Sequence, residues 1–290
     1  MDGILIVNKE KDYTSRDVVN IVGKNFNTKK LGHTGTLDPL ATGVLVLCMG
    51  KCLKVVELIT AYNKEYIAKV RLGMETDTLD ITGNILNVDN PYVTKEEVSN
   101  VLNSFLGKSI QEVPKFSAVK INGKKLYEYA RENIEIELPK REIEIFDIEL
   151  LGDINYYDKY LEFSFRVTVS KGTYIRSLIR DIGKKLNTYA CMIELTRTKQ
   201  GNFDIDNSYY LNDIASNEYK LLEIKDVLDI EHVIVKNELL KQTKNGCVLD
   251  KFFNDDMALI LDEFGNEIGI YKTYEKDSSK VKPYKYFKYS

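Results

Sequence analysis

Apolar residues change their spacing several times along this chain, and each change predicts an element. Val44-Leu-Val-Leu-Cys-Met49 is apolar without interruption, the pattern of a strand buried on both faces. From Tyr66 the period is two: Tyr66, Ala68, Val70 and Leu72 share one face of a strand, while Ile67, Lys69 and Arg71 point the other way. Phe163, Phe165, Val167 and Val169 alternate in the same manner and run into Lys171-Gly172. Three stretches follow the helical period instead. Val18, Val22 and Phe26 mark the first, with Ser15 as its expected cap. Val98, Val101, Leu102 and Phe105 mark the second, behind the capping-box pair Thr94 and Glu97 and ahead of Gly107. Ile175, Leu178, Ile179, Ile182 and Leu186 mark the third, with Thr173 near its start. Near the C-terminus, Met257–Leu261 and Glu267–Tyr274 read as strands joined by the hairpin signal Asp262-Glu-Phe-Gly-Asn266.

Strands and helices therefore alternate without a strict βαβ rhythm, which predicts an α+β fold with a mixed sheet. Between residues 202 and 226, Asn, Asp and Tyr displace the periodic apolar pattern. A boundary is expected there, with a larger domain over 1–225 and a small β-rich domain over 226–290. The first apolar run, Ile4 to Val7, is too short for a signal peptide, and no stretch approaches a membrane span. Cys48, Cys52, Cys191 and Cys247 show no paired spacing and only two histidines accompany them, so reduced thiols of a cytoplasmic protein are expected rather than a zinc site.

The net charge of −3 hides a segregation. Residues 164–200 carry eight basic and two acidic side chains, residues 201–271 six and fifteen, and residues from 272 onward six and two. A phosphate ligand responds to the local face rather than to the total. The lysine-rich end (Lys276, Lys280, Lys282, Lys285, Lys288) suits contacts to phosphates at a distance from the candidate chemistry.

That chemistry centres on Gly32-His-Thr-Gly-Thr-Leu-Asp-Pro-Leu-Ala-Thr-Gly43, which sets Asp38 in a glycine-rich loop directly before the buried strand. A carboxylate so placed costs on the order of several kcal/mol unless an ionic or hydrogen-bonding partner meets it. Burial would neutralise it, and a nearby cation would offset that. Arg176, in Lys171-Gly-Thr-Tyr-Ile-Arg176, falls in the first turn of a predicted helix, where a cation opposes the helix dipole and an anionic partner would explain it.

The Gly32–Gly43 segment resembles the catalytic signature of the TruB family of tRNA pseudouridine synthases. Lys171–Arg176 resembles a second motif of that family, and Lys64-Glu-Tyr66, Ile193-Glu-Leu-Thr-Arg197 and Pro114–Arg131 resemble others. Gly3–Lys9 with Thr14-Ser15 resembles the N-terminal motif, although Glu10 and Asp12 stand where the family has proline and glycine. Asp tolerates the left-handed conformation that a glycine often takes. The resemblance covers residues 3–201; beyond 225 it rests on Ile268-Gly-Ile270 and Lys282-Pro283, which are similar to the PUA-like RNA-binding domain of bacterial members.

The resemblance implies a pseudouridine synthase fold, with a mixed and largely antiparallel sheet, and conversion of uridine to pseudouridine at position 55 in the T loop of tRNA. It implies Asp38, Tyr66 and Arg176 as catalytic residues, and His33, Lys171, Tyr174 and Leu195 as substrate-binding residues. Lys9 is implied as a structural residue near the site. The reaction exchanges no electron, phosphate or metal, so no cofactor and no metal are expected; the tRNA T arm is the expected partner of a monomer. Attack of Asp38 at C1′ and removal of the C2′ proton are both compatible with the sequence. A phosphate-loop enzyme is not: six residues separate Gly43 from Gly50-Lys51, and Cys52 follows where Ser or Thr is needed. A glycoside or nucleoside hydrolase needs a second carboxylate, and no motif offers one. The alternative from another class is a non-catalytic RNA-binding or tRNA-folding protein, which would have no use for Asp38, Tyr66, Arg176 and Leu195 together.

Overall fold

The uninterrupted apolar run becomes the strand Thr42–Met49, and its two faces serve two different cores. In the computed structural model, which describes residues 1–287, Leu45, Leu47 and Met49 face the main core, and Val44, Val46 and Cys48 face a second one. The neighbouring strand Gly3–Lys9 divides in the same way, Leu5 and Val7 against Ile4 and Ile6. A strand with apolar neighbours on both sides has no polar face to show, which is why the run carries no alternation.

The path of the main sheet is Gly3–Lys9, Thr42–Met49, Ala190–Gln200, Lys64–Leu72, Leu161–Val169, Lys140–Tyr156 and Gly107–Glu112, with the short strands Leu31–His33 and Phe203–Asp204 attached. Its pairings are antiparallel except one: Ala190–Gln200 runs parallel to Thr42–Met49, over Thr196↔Thr42 and Arg197↔Gly43. The fold is thus α+β with a mixed, largely antiparallel sheet. Helices Ser15–Asn25, Lys95–Asn103 and Ile175–Lys185 cover its main-core face through Val18, Val22, Val98, Leu102, Leu178 and Ile182. None of the helices among the described residues is long and apolar enough to cross a membrane.

One helix start differs from expectation. Thr14, not Ser15, caps the first helix, in a reciprocal box with Asp17. Ser15 is turned inward: its hydroxyl accepts from the Leu37 N–H at 2.8 Å and donates to the Leu37 carbonyl at 3.1 Å. Thr173 spends its hydroxyl on the Ser170 carbonyl, so the third helix begins without a side-chain cap. The second helix carries the Thr94–Glu97 box as read.

The segment that interrupts the apolar pattern lines the free edge of Gly3–Lys9. Leu222 and Ile4 exchange two backbone bonds of 2.9 Å, and Tyr209 bonds to Ile6 and Asn8. Beyond it lies a second, five-stranded sheet in the order Glu231–Ile234, Met257–Leu261, Glu267–Tyr274, Asp277–Tyr286, Leu249–Asp250. Leu259, Leu261, Ile270 and Phe287 from this part join Ile4, Ile6, Val44 and Val46 in one core. Lys51–Glu267 at 2.9 Å and Lys285–Glu57 at 3.3 Å cross the same junction. The core therefore runs across the change of sheet. Of the terminal lysines, Lys280 pairs with Asp250, Lys282 approaches Glu275, and Lys285 pairs with Glu57. Lys288 lies outside the described residues. Ion pairs this exposed are weak and exchange readily with other anions.

Candidate active site

Asp38 sits in the loop that leads into Thr42–Met49, and contacts from several elements fix that loop. Gln200 Nε2 donates to Thr34 Oγ1 at 2.8 Å. Arg197 bridges both ends, with Nη2 donating to Gly35 O (3.2 Å) and Nε to Val44 O (2.6 Å). Ser15 clasps Leu37, and the Lys9 ammonium (3.3 Å) and the Asp12 N–H (2.8 Å) both donate to Pro39 O. Gly43 has φ +97°, and a Cβ there would lie 2.3 Å from Arg197 O, so the close parallel approach of the two strands requires glycine. Asp12 takes φ +72°, the left-handed conformation suggested by the residue it replaces. Lys9 is wholly buried, and its ammonium also donates to Glu10 O and Tyr13 O, which ties the N-terminal loop to the Asp38 loop. Burial pushes the Lys9 pKa down to about 8, with Asp38 and Asp12 opposing.

Arg176 provides the cation that Asp38 needs. Its Nε lies 2.9 Å from Asp38 Oδ2, and its Nη2 donates to Asp38 Oδ1 at 3.2 Å. The guanidinium side chain is 6% exposed, whereas that of Asp38 is 37% exposed, open towards a pocket. Two carbonyls complete the fork: Nη1 donates to Thr78 O (3.0 Å) and Nη2 to Phe116 O (2.9 Å). Burial is the largest influence on Asp38 and raises its pKa; Arg176 opposes this, nearby Asp80 adds to it, and Lys9 opposes it weakly. The balance is upward, even with the ion pair in place.

Asp80 is the second acid of this centre, and the reading of the sequence missed it. It is buried, with Oδ2 3.8 Å from Arg176 Nη1 and Oδ1 held by Thr78 Oγ1, Thr82 N–H and Thr82 Oγ1. A signal was present: Thr-Leu-Asp occurs at 36–38 and again at 78–80, and the two carboxylates converge on one guanidinium. Leu79 between them adopts φ +64°, an uncommon conformation for a leucine, in the turn that brings Thr78 O and Asp80 to Arg176.

The pocket in front of Asp38 holds about 280 Å³. Tyr66, Tyr174, Leu195 and Lys171 line it, and Tyr66 and Leu195 are each under one-tenth exposed. Gln111, itself buried, fixes Tyr174 by accepting from its N–H (2.8 Å) and donating to its carbonyl (3.1 Å). His33 stands apart, on Leu31–His33, and does not line the pocket. Burial and then Arg16 and Arg197 push its pKa down, which favours the neutral imidazole. A wider groove of about 830 Å³ flanks the same turn, with Glu75, Asp77, Glu135 and Glu137 on its rim.

Residues 24–175 match the model of the TruB family pseudouridylate synthase N-terminal domain, and residues 176–235 that of the tRNA pseudouridylate synthase B C-terminal domain. The chain is 44% identical over 275 residues to tRNA pseudouridine synthase B of Clostridium tetani, covering 91% of this chain and 93% of that one. It is 38% identical over 300 residues to tRNA pseudouridine synthase B of Bacillus subtilis, covering 98% and 97%. Among solved structures it resembles a chain of an H/ACA ribonucleoprotein bound to a substrate RNA containing 2′-deoxyuridine, with TM-score 0.71 and 23% identity over 99% of this chain and 85% of that one. It also resembles a chain of a Cbf5-Nop10-Gar1 complex, with TM-score 0.71 and 25% identity over 99% and 84%.

Proposed function

The chain belongs to the TruB family of pseudouridylate synthases, and on that premise we propose that it isomerises a uridine of tRNA to pseudouridine, in the T loop at position 55 by tRNA convention. The observation that carries the reading is the Asp38 carboxylate, open to a pocket lined by Tyr66, Tyr174 and Leu195 and backed by the buried Arg176 guanidinium. The reaction breaks the N1–C1′ bond, turns the freed uracil, joins C5 to C1′ and releases the C5 proton. An ionised Asp38 acts at the sugar, by attack at C1′ or by taking the C2′ proton; Arg176 keeps it charged against the pull of burial. Tyr66 offers a ring to the base and a hydroxyl to a proton in transit, and Leu195 closes the pocket. The base must leave its stack first, at a cost of a few kcal/mol. Rings that stack on it return about 1–3 kcal/mol. The scheme uses neither cofactor nor metal.

The test is direct. Unmodified tRNA incubated with the protein and a chelator, without nucleotide, is expected to gain pseudouridine at the T-loop uridine, mapped by chemical labelling. No conversion, or a need for a divalent ion beyond refolding the tRNA, would overturn the reading in favour of an RNA-binding or tRNA-folding role.

The acid limb of the reaction should also report on Asp80. Asp38 must be ionised to act, so the rate falls as pH drops through its raised pKa. Asp80→Asn removes one of the influences that raise that pKa, while an amide oxygen can still accept from Thr78 and Thr82. The limb is expected to move to lower pH in the variant. A limb that stays put, or moves up, would show that Asp80 does not act on Asp38.

A further inference from the structure

The wall of the pocket holds more positive charge than its carboxylates require. Arg176 answers Asp38 and Asp80. Lys64 and Arg197 also line the pocket, at 7% and 1% exposure, and neither forms an ion pair with an acid among the described residues. The Lys64 ammonium donates to Thr60 O and Tyr62 O, both at 2.6 Å, and its third N–H has no acceptor among the described residues. Arg197 uses Nε and Nη2 on carbonyls, and Nη1 makes no hydrogen bond among the described residues. The acid next to Lys64 in sequence, Glu65, is engaged by the Thr198 hydroxyl. Lys9 makes the contrast: it too is buried, but all three of its protons meet carbonyls, and Asp38 and Asp12 lie nearby. Burial, and then the like charges of Arg197 and Lys171, bring the Lys64 pKa down to about 8. Cations held out of water without a counter-charge are strongly unfavourable, and an incoming anion relieves them.

We propose that Lys64 and Arg197, with Lys171 at the same pocket, form an anion subsite for a backbone phosphate flanking the nucleotide whose base enters the pocket. The inference rests on the RNA-modifying reading above. Lys64 and Tyr66 lie two residues apart on one face of Lys64–Leu72, so their side chains leave the strand about 7 Å apart. That spacing is on the order of the distance from a base to its own flanking phosphate. The ring takes the base and the ammonium takes the phosphate.

The experiment uses the full chain and a T-arm hairpin in which the phosphate 5′ or 3′ of the target uridine is replaced by an uncharged methylphosphonate. One of the two replacements is expected to weaken binding to the unsubstituted protein about tenfold, the scale of one charge-assisted contact. In Lys64→Met the same replacement should cost less than twofold, and in Lys171→Met an intermediate amount. Thermal unfolding establishes that each variant is folded, and if Lys64→Met is not, the exposed Lys171 carries the comparison. Equal losses in all three proteins, no loss at either phosphate, or failure to bind the hairpin would overturn the subsite. Coupling without isomerisation would leave the subsite standing and remove the proposed reaction; isomerisation without coupling would do the reverse.

Discussion

Asp38→Asn is expected to reduce turnover on tRNA by roughly 10⁴-fold or more, the scale on which loss of an essential reacting group acts, while leaving affinity for tRNA little changed. Asparagine keeps the volume and one acceptor but can neither attack C1′ nor take a proton from C2′. The same substitution should not weaken the fold. A carboxyl whose folded pKa is raised contributes nothing unfavourable at low pH, where it is neutral in both states. Its cost enters as pH rises through the interval between the unfolded and the folded pKa. Once ionised, Asp38 is therefore a liability to stability, and above that interval the variant should unfold at no lower temperature than the parent. Single-turnover conversion, filter binding and thermal unfolding measure the three quantities. A variant with a tenth of the parent rate would sink the assignment.

Arg176→Met is expected to lose stability and activity together. It leaves Asp38 and Asp80 without the guanidinium that both face, and frees the carbonyls of Thr78 and Phe116. Breaking a buried ion pair costs about 3–5 kcal/mol. The lower end, about 3 kcal/mol, applies here because the Asp38 side chain opens on the pocket. With its main opposing charge gone, the Asp38 pKa rises further, so a smaller share of the carboxyl is ionised at a given pH and the rate there falls. Part of that loss should return as pH is raised, which a merely unfolded protein would not show. Denaturant unfolding and a pH–rate profile decide it; a variant as stable as the parent would mean that the carboxylates do not depend on Arg176.

Local patterns were legible where one physical demand acted alone. The Val44–Met49 run announced a strand covered on both faces, and the period-two pattern from Tyr66 placed the buried ring and the half-buried cations Lys69 and Arg71 on opposite sides. Lys140–Tyr156 escaped notice because its alternation changes phase: the pairing with Leu161–Val169 shifts register between Ile145 and Asp147 and again between Leu151 and Asn155. Ser15 was misread as a cap because its hydroxyl answers Leu37, twenty-two residues away, and local spacing carries no record of that. The motifs pointed to Asp38 and Arg176, and the fold brings these two into contact. Asp80, Lys64 and Arg197 were not singled out, because their place in the centre depends on which strands and turns meet there.

The first strand, Gly3–Lys9, is buried on one face by Ile224, Leu259, Ile270 and Phe287, residues from the far end of the chain. Contacts so distant in sequence carry a large loop-closure penalty and form late in folding. Ile4 and Ile6 therefore stay uncovered until residues as distant in sequence as Ile270 and Phe287 have packed. The loop that carries Asp38 leans on that strand through Lys9, so the footing of the candidate centre and the cover over Ile4 and Ile6 share one strand.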